Sequence, residues 1–264
     1  MGTLADAAIA LMRVDFSETS QIIVFFTRGH GKLRAIAKGV KRSTKTRFAV
    51  GIDLLDMGEL VVSMRAENLE ALATLTEWRQ TRTLLGLRDR LPRLQAAQYA
   101  AEITALLTED RDPHPALFDF LHGTLIRLCL ADDTLAEVVR YQWDVLCEVG
   151  LLPRFDACVL CGREKDLTHF SSNQGGLVCR HCEAAQVEKR QVSPRTIGVL
   201  GNLFAQHEIS NRSEPHDAHA QGIANPANPA AAFGLLDYHI SHVAGRRPKL
   251  SSSLVDSWRQ RLVD

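Results

Sequence analysis

Gln21-Ile22-Ile23-Val24-Phe25-Phe26-Thr27 is an unbroken run of apolar, β-branched and aromatic residues, too short for a helix. Gly29 and Gly31 mark the turn that follows it. Lys32–Lys38 then alternates: Leu33, Ala35 and Ala37 fall on one face, and Lys32, Arg34, Ile36 and Lys38 on the other. Successive side chains of a strand point to opposite faces, so three cations share one side of this one. Val50–Leu55 and Leu60–Arg65 are expected to be further strands, separated by a turn at Met57-Gly58. Four or five short strands in the first sixty or so residues predict a small closed or half-closed barrel.

Beyond the barrel the period changes. Leu69, Leu72, Leu75 and Trp78-Arg79 are spaced as on a helix, which predicts a switch to helical structure near residue 69. Pro92–Leu107 is Ala-rich with apolar residues three and four apart, a second helical signal. Asp112-Pro113-His114-Pro115 breaks that pattern and opens Ala116–Leu130. Thr134–Val149 is amphipathic and stops at Gly150. Ser193-Pro194 reads as an N-cap and first-turn pair for a helix to about Ala205, and Phe233–Val243 and Leu254–Leu262 as closing helices. Asn211–Ala230, polar with two Asn-Pro steps, is expected to be a mobile surface loop. The 264 residues suffice for one large domain or two smaller ones, and 45% hydrophobic content is enough for a core. No apolar run approaches the roughly 18–20 residues of a membrane span, and Met1–Met12, with Asp6, does not read as a signal peptide. A cytoplasmic, non-membrane protein is expected.

Six cysteines stand at 129, 147, 158, 161, 179 and 182. Four of them form Cys158-Val-Leu-Cys161 and Cys179-Arg-His-Cys182, with residues 162–178 between the pairs. A C-x-x-C turn offers two thiolates to one ion, and a hairpin in the intervening stretch would bring the second pair back to complete a tetrahedron. Gly162 and Gly175-Gly176 supply the tight backbone such turns require. The four-thiolate set favours a closed, structural zinc site. Two redox pairs, four unrelated thiols, or His169 or His181 in place of one cysteine are the alternatives. A deaminase-type catalytic zinc is disfavoured because Ala157, not proline, precedes Cys158 and no earlier histidine begins an H-x-E. Cys129 and Cys147 sit in apolar helical stretches and read as core.

Net charge is zero, with 31 basic and 31 acidic residues, yet the charges are unevenly spread. Arg28, Lys32, Arg34, Lys38, Lys41, Arg42, Lys45 and Arg47 fall within twenty residues that contain no acid. A basic strand face continuing into a basic Gly/Ser/Thr loop is an electrostatic footprint for phosphates; a merely solvated face is the alternative. Few aromatics interleave with the cations, so backbone-dominated, sequence-tolerant and salt-sensitive binding is expected. Arg246-Arg247-Pro248-Lys249 is a second basic cluster, equally explained as cations at a helix C-terminus. His239 and His242 with Asp237 read as packing or surface residues. No P-loop, G-x-G-x-x-G, G-x-S-x-G or paired-carboxylate motif occurs, so no active site and no enzyme is expected.

These segments together resemble a known family. Glu18–Thr27, Gly31-Lys32-Leu33 and Ala37–Arg42 look like the N-terminal oligonucleotide-binding barrel of the RecO family of bacterial recombination mediators. Leu146, Gly150–Pro153, Cys158–Gly162, Phe170-Ser171, Gly175-Gly176 and Cys179–Cys182 resemble its zinc-bearing region, and Tyr238-His239 through Leu254 is similar to its C-terminal helix and basic tail. The resemblance implies an α+β chain: an OB-fold barrel at 1–80, then a helical domain at 81–264 carrying a zinc ribbon-like insertion at 155–190. It implies binding of single- and double-stranded DNA through Arg28–Arg47, annealing of complementary strands, and one structural zinc on Cys158, Cys161, Cys179 and Cys182. It further implies partnership with RecR and single-stranded-DNA-binding protein (SSB) in loading RecA, at the nucleoid. The competing expectation is a zinc-stabilised protein adaptor with weak nonspecific nucleic-acid affinity, and the least favoured is a zinc hydrolase or deaminase.

Overall fold

A computed structural model describes residues 2–40, 51–64, 72–202 and 229–261, and divides the chain into two compact units. The first, Met1–Thr134 with Lys249–Asp264, contains the barrel. Its strands are β1 (Gly2–Asp15), β2 (Gln21–Thr27), β3 (Gly31–Ala37), β4 (Met57–Met64) and β5 (Ala73–Arg82), closed in the order β1-β2-β3-β5-β4. Only β3 and β5 run parallel, meeting at Ala35 and Ile36; the other described pairs are antiparallel. The interior is filled by the alternate residues of each strand, including Ile23, Phe25, Leu33, Ala35, Leu60, Val62, Leu75 and Trp78. Phe25 and Trp78 lie 5.2 Å apart, centroid to centroid, at its centre.

Three local expectations fail here, each for a physical reason. The helical switch near residue 69 is instead strand β5. Its apolar residues look three apart because of a bulge: Val62 pairs with Leu75 and Val61 with Glu77, leaving Thr76 as the extra residue. The bulge turns both Leu75 and Trp78 inward, so a strand imitates a helical spacing. The strand expected at Val50–Leu55 is irregular over residues 51–56. There Asp56 Oδ2 accepts the Asp53 N–H at 2.7 Å and Asp53 Oδ1 accepts that of Leu54 at 2.9 Å, giving the backbone partners other than a ladder. Met57-Gly58 is the start of β4 rather than a turn. Gly58 is there for proximity: a Cβ would sit 2.5 Å from the Arg79 carbonyl oxygen and 2.8 Å from the Trp78 ring.

Helices α1 (Leu91–Leu107), α2 (Pro115–Leu130) and α6 (Ser251–Arg261) complete this unit, close to the expected spans. Arg93, a buried residue of α1, donates to the Cys129 and Ala131 carbonyls at 2.7 and 2.9 Å and so satisfies the end of α2. Glu102 of α1 accepts the Lys249 and Leu250 N–H groups at 2.7 and 3.2 Å, fixing the chain just before α6. The β2–β3 turn packs on the segment before α2 so closely that a Cβ on Gly31 (φ +68) would lie 2.2 Å from the Asp112 carbonyl oxygen. Gly31→Ala is therefore expected to cost about 3 kcal/mol or more, read as a fall in the urea midpoint of this unit. Gly39→Ala has the same φ penalty (+74) but open space, and should cost only about 1 kcal/mol. Equal losses at the two positions would show that the close approach to Asp112 is not what matters.

The second unit, Leu135–Pro248, holds nearly all of α3 (Thr134–Glu148) and a sheet of β6 (Leu167–Ser171), β7 (Gly176–Cys179) and β8 (Arg190–Gln191), ordered β7-β6-β8. It also holds α4, from 194 and described to 202, and α5 (Pro229–Val243). Ser193 caps α4 as its sequence predicts, its Oγ accepting the Thr196 N–H at 3.1 Å. Trp143, Phe155 and Phe170 stack in series at 5.9 and 6.0 Å, and His239 of α5 meets the Phe170 ring edge-on at 5.7 Å. The polar loop expected at 211–230 lies outside the described residues up to 228; 229 and 230 begin α5. Among the described residues no helix is long and apolar enough to cross a membrane.

His239 gives this unit a pH dependence. Its Nε2–H donates to the Leu151 carbonyl at 2.9 Å, which assigns Nδ1 as the unprotonated nitrogen, buried and without a partner among the described residues. Burial holds the imidazole below its ordinary value, with the Leu151 bond partly opposing and His242 adding to the fall. Near neutral pH both folded and unfolded rings are neutral; as pH falls through about 6.5 the unfolded ring takes up its proton first. The unfolding free energy of this unit should therefore decrease from pH 7.5 to 6, and His239→Gln should flatten that slope. An equal slope in the variant would assign the dependence to other groups.

Candidate metal centre and nucleic-acid interface

The two cysteine pairs are brought together by the hairpin β6–β7. In the first knuckle Gly162, at φ +74, donates its N–H to the Cys158 carbonyl at 2.8 Å, and the Cys158 N–H reaches the Arg163 carbonyl at 2.8 Å. In the second, the Cys182 N–H donates to the Cys179 carbonyl at 3.0 Å. Gly176 lets the chain at Arg154 run alongside β7: a Cβ there would lie 2.6 Å from both the Arg154 carbonyl oxygen and Val159 Cγ1. Glu188 fastens the hairpin tip by accepting from Ser171 Oγ at 2.8 Å, from the Asn173 N–H at 3.0 Å and from the Tyr238 hydroxyl.

The result is that the sulfurs of Cys158, Cys161, Cys179 and Cys182 all lie within 4.8 Å of one another, close enough to hold one metal ion. Cys161 Sγ and Cys179 Sγ are 3.7 Å apart. A tetrahedron with Zn–S bonds of 2.3 Å has an edge of about 3.8 Å, which the Cys161–Cys179 spacing matches, and four thiolates suit zinc in softness. Burial opposes ionisation of Cys158, but backbone hydrogen bonds at Cys179, Leu160 and Cys161 outweigh it and bring its thiol down to about 6. Hydrogen bonds with the sulfurs of Cys161 and Cys179 push Cys182 up to about 12. Four thiols this close resist ionising together unless a cation compensates them. His169 is occupied by Glu183 and His181 is exposed; among the described residues, neither joins the sulfur cluster. Cys129 and Cys147 lie on α2 and α3, outside that cluster, with burial raising the Cys129 thiol.

The basic stretch is only partly described, since Lys41, Arg42, Lys45 and Arg47 lie outside the described residues. The remaining four cations differ sharply. Arg28 makes a two-pronged pair with Asp119 of α2, at 3.0 and 2.8 Å. Lys32 is largely buried, and its Nζ donates to the Ala105 and Thr108 carbonyls at 2.9 and 2.7 Å, with Asp110 at 3.4 Å. Those carbonyls belong to the last turn of α1, where they lack helical donors, and a cation there also complements the helix dipole. Arg34 pairs with Asp110 at 3.1 Å. Lys38 is exposed and has no ion pair among the described residues. Sequence reading places all four on one surface but misses Asp110 and Asp119, which follow about eighty to ninety residues later and carry no local signal.

Around these cations the described residues of the barrel offer little for base stacking, Phe48 lying outside them. Phe25 and Trp78 are interior, Phe26 lies buried 6.1 Å from Phe118 of α2, and Phe16 stands exposed at the β1–β2 turn. Of the second basic cluster, Arg247 lies 3.8 Å from the buried Asp237 of α5, and His242, near the end of that helix, bonds to Asn173 at 2.8 Å.

Residues 1–83 match the family model described as recombination protein O N terminal, and residues 88–252 the model for recombination protein O C terminal. The chain is 32% identical over 248 residues to the DNA repair protein RecO of Myxococcus xanthus, covering 92% of this chain and 93% of that protein. It is 30% identical over 267 residues to the RecO of Rhodopirellula baltica, covering 94% and 98%. With the RecO of Bacillus cereus it shares 32% identity over 179 residues, 67% of this chain and 70% of the relative.

Proposed function

This chain belongs to the RecO family of DNA repair proteins, and on that premise we propose that it is a non-enzymatic recombination mediator. In this reading it binds single- and double-stranded DNA, anneals complementary strands, and acts with RecR on SSB-coated DNA so that RecA can be loaded. Its place is the cytoplasm, at the nucleoid. The observation that carries the reading is the family match along nearly the whole chain; the barrel with a cationic stretch leaving β3 supports it from within the molecule. Residues 1–80 would supply the DNA surface and residues 81–264 the partner contacts. Cys158, Cys161, Cys179 and Cys182 would hold one structural zinc, which ties the two knuckles together and does no chemistry on DNA.

Annealing needs no reacting group. A cationic surface neutralises phosphates, lowers the repulsion between two strands and holds them near each other, and base pairing then supplies specificity and driving energy. Among the proposed contacts Arg28, Lys32, Arg34, Lys38, Lys41, Arg42, Lys45 and Arg47, the exposed pairs of Arg28 and Arg34 are weak enough in water for a phosphate to compete for the guanidinium. Lys32 contributes to the field, its ammonium being turned to α1. The test is the annealing of complementary labelled oligonucleotides coated with the cognate SSB, over a salt series. Acceleration above the SSB-coated control is the expected result. The engagement of Arg28, Lys32 and Arg34 within their own unit favours a second reading, a zinc-stabilised protein adaptor. No acceleration, with DNA affinity gone by physiological salt, would establish that reading instead.

A further inference from the structure

The four clustered sulfurs are unequally sheltered. Cys158 and Cys179 are buried, Cys182 is half-buried and Cys161 is exposed. An apolar cluster centred on Val178 includes Cys158 and Cys179, with Cys182, Val159 and Leu167 packed against it; Cys161 stands outside. The chain after it, residues 162–166, is exposed throughout. Cys179, on the opposite knuckle, has its Sγ 3.7 Å from Cys161 Sγ, and no sulfur of the group lies more than 4.8 Å from another.

The geometry points to Cys161 as a site of peroxide oxidation, with Cys179 as the resolving partner, so that a Cys161–Cys179 disulfide forms and the metal is released. This rests on the four-thiolate zinc reading above. In the first step the Cys161 thiolate attacks one oxygen of hydrogen peroxide. The O–O bond breaks, hydroxide leaves and takes a proton from solvent, and Cys161 becomes a sulfenic acid. In the second, the Cys179 thiolate attacks that sulfur, the S–O bond breaks, and the leaving hydroxide is again protonated to water. The two sulfurs together lose two electrons and the peroxide gains them: two thiolates, one peroxide and two protons give one disulfide and two waters. Reaching the disulfide length requires the sulfurs to close by about 1.7 Å. Cys158 and Cys182 alone leave two coordination positions empty, which a structural zinc site does not tolerate. The new bond spans the two knuckles in place of the metal, so the hairpin stays closed and a thiol reductant can reverse the change.

The test uses the full chain as purified, treated with one equivalent of hydrogen peroxide. Zinc release is followed with a chromogenic chelator, and peptides are mapped after alkylation. The expected result is the loss of two thiols and about one zinc per chain in step, with Cys161 joined to Cys179. Because Cys161 is itself one of the proposed ligands, the peptide map of the unmodified chain, rather than a Cys161 variant, decides which two sulfurs are joined. A Cys158–Cys161 or Cys179–Cys182 disulfide, or zinc retained after the thiols are consumed, would overturn the assignment. A chain that is metal-free from the start, and shows no cobalt–thiolate band when cobalt is added, would overturn the metal reading beneath it. The two failures are distinct: in one the metal stays through oxidation, in the other it was never bound.

Discussion

Cys179→Ser is expected to weaken metal binding at least about a hundredfold and to unfold the β6–β7 hairpin while leaving the barrel intact. Cys179 is fully buried at the end of β7, paired in register with Leu167 of β6. The sheet it belongs to is small: β7 has four residues and β8 two. On the side that carries the cysteines its described cluster is Val178, Val159, Leu167 and the cysteines themselves, while Phe170 and Leu177 are buried on the hairpin as well. On that side a metal held by the two knuckles would be the main tie between them. Hydrogen exchange reads the outcome residue by residue. Leu177 and Val178 should lose protection, whereas Ile23 and Phe25 of the barrel should keep theirs. Treating the unaltered chain with a strong chelator should give the same map. Unchanged protection at Leu177 and Val178 after the metal is gone would mean that Glu188 and the aromatic stack hold the hairpin by themselves.

Reversing Lys38, Lys41 and Arg42 to Glu is the second large effect, and it falls on binding rather than stability. If each cation neutralises one phosphate, the slope of log K against log salt should shrink by about 2.7 on duplex DNA and about 2.1 on single strands, and affinity at moderate salt should fall at least about a hundredfold. SSB-coated strands should then anneal no faster than in the control. The single Lys38→Glu reversal should leave the thermal midpoint unchanged, because Lys38 is exposed and without an ion pair among the described residues. Lys32→Met is the informative contrast. It leaves the last-turn carbonyls of α1 without their donor, so it should destabilise the first unit by about 1–3 kcal/mol with little change in salt slope. A triple reversal that binds DNA as before would move the surface elsewhere, with Arg246-Arg247-Pro248-Lys249 the next candidate.

How much of this was legible beforehand depends on how far each signal travels along the chain. Strands β2 and β3 were readable because alternation and short apolar runs are properties of neighbouring residues. The knuckles were readable because a thiolate pair, its glycine and its spacing lie within five residues. Strand β5 was not, since the bulge at Thr76 converts a period of two into an apparent period of three, and only its pairing with β4 discloses the extra residue. The strand expected at Val50–Leu55 fails for a related reason: its apolar residues suit a strand, but Asp53 and Asp56 hold the backbone with their side chains.

The residues alone disclose the family, the α+β order of barrel then helices, the four sulfurs that can share an ion and the stretch where positive charge gathers. All of these are carried by local composition and spacing. Tertiary structure alone decided what each cation does. Lys32 and Lys38 are six residues apart on the same nominal face, yet one is drawn to the end of α1 and the other is left to solvent. It also decided which sulfurs are sheltered, putting Cys161 outside the apolar cluster that covers its three partners. Both outcomes depend on surfaces contributed by residues distant in the chain, and a side chain's chemistry follows from what packs against it.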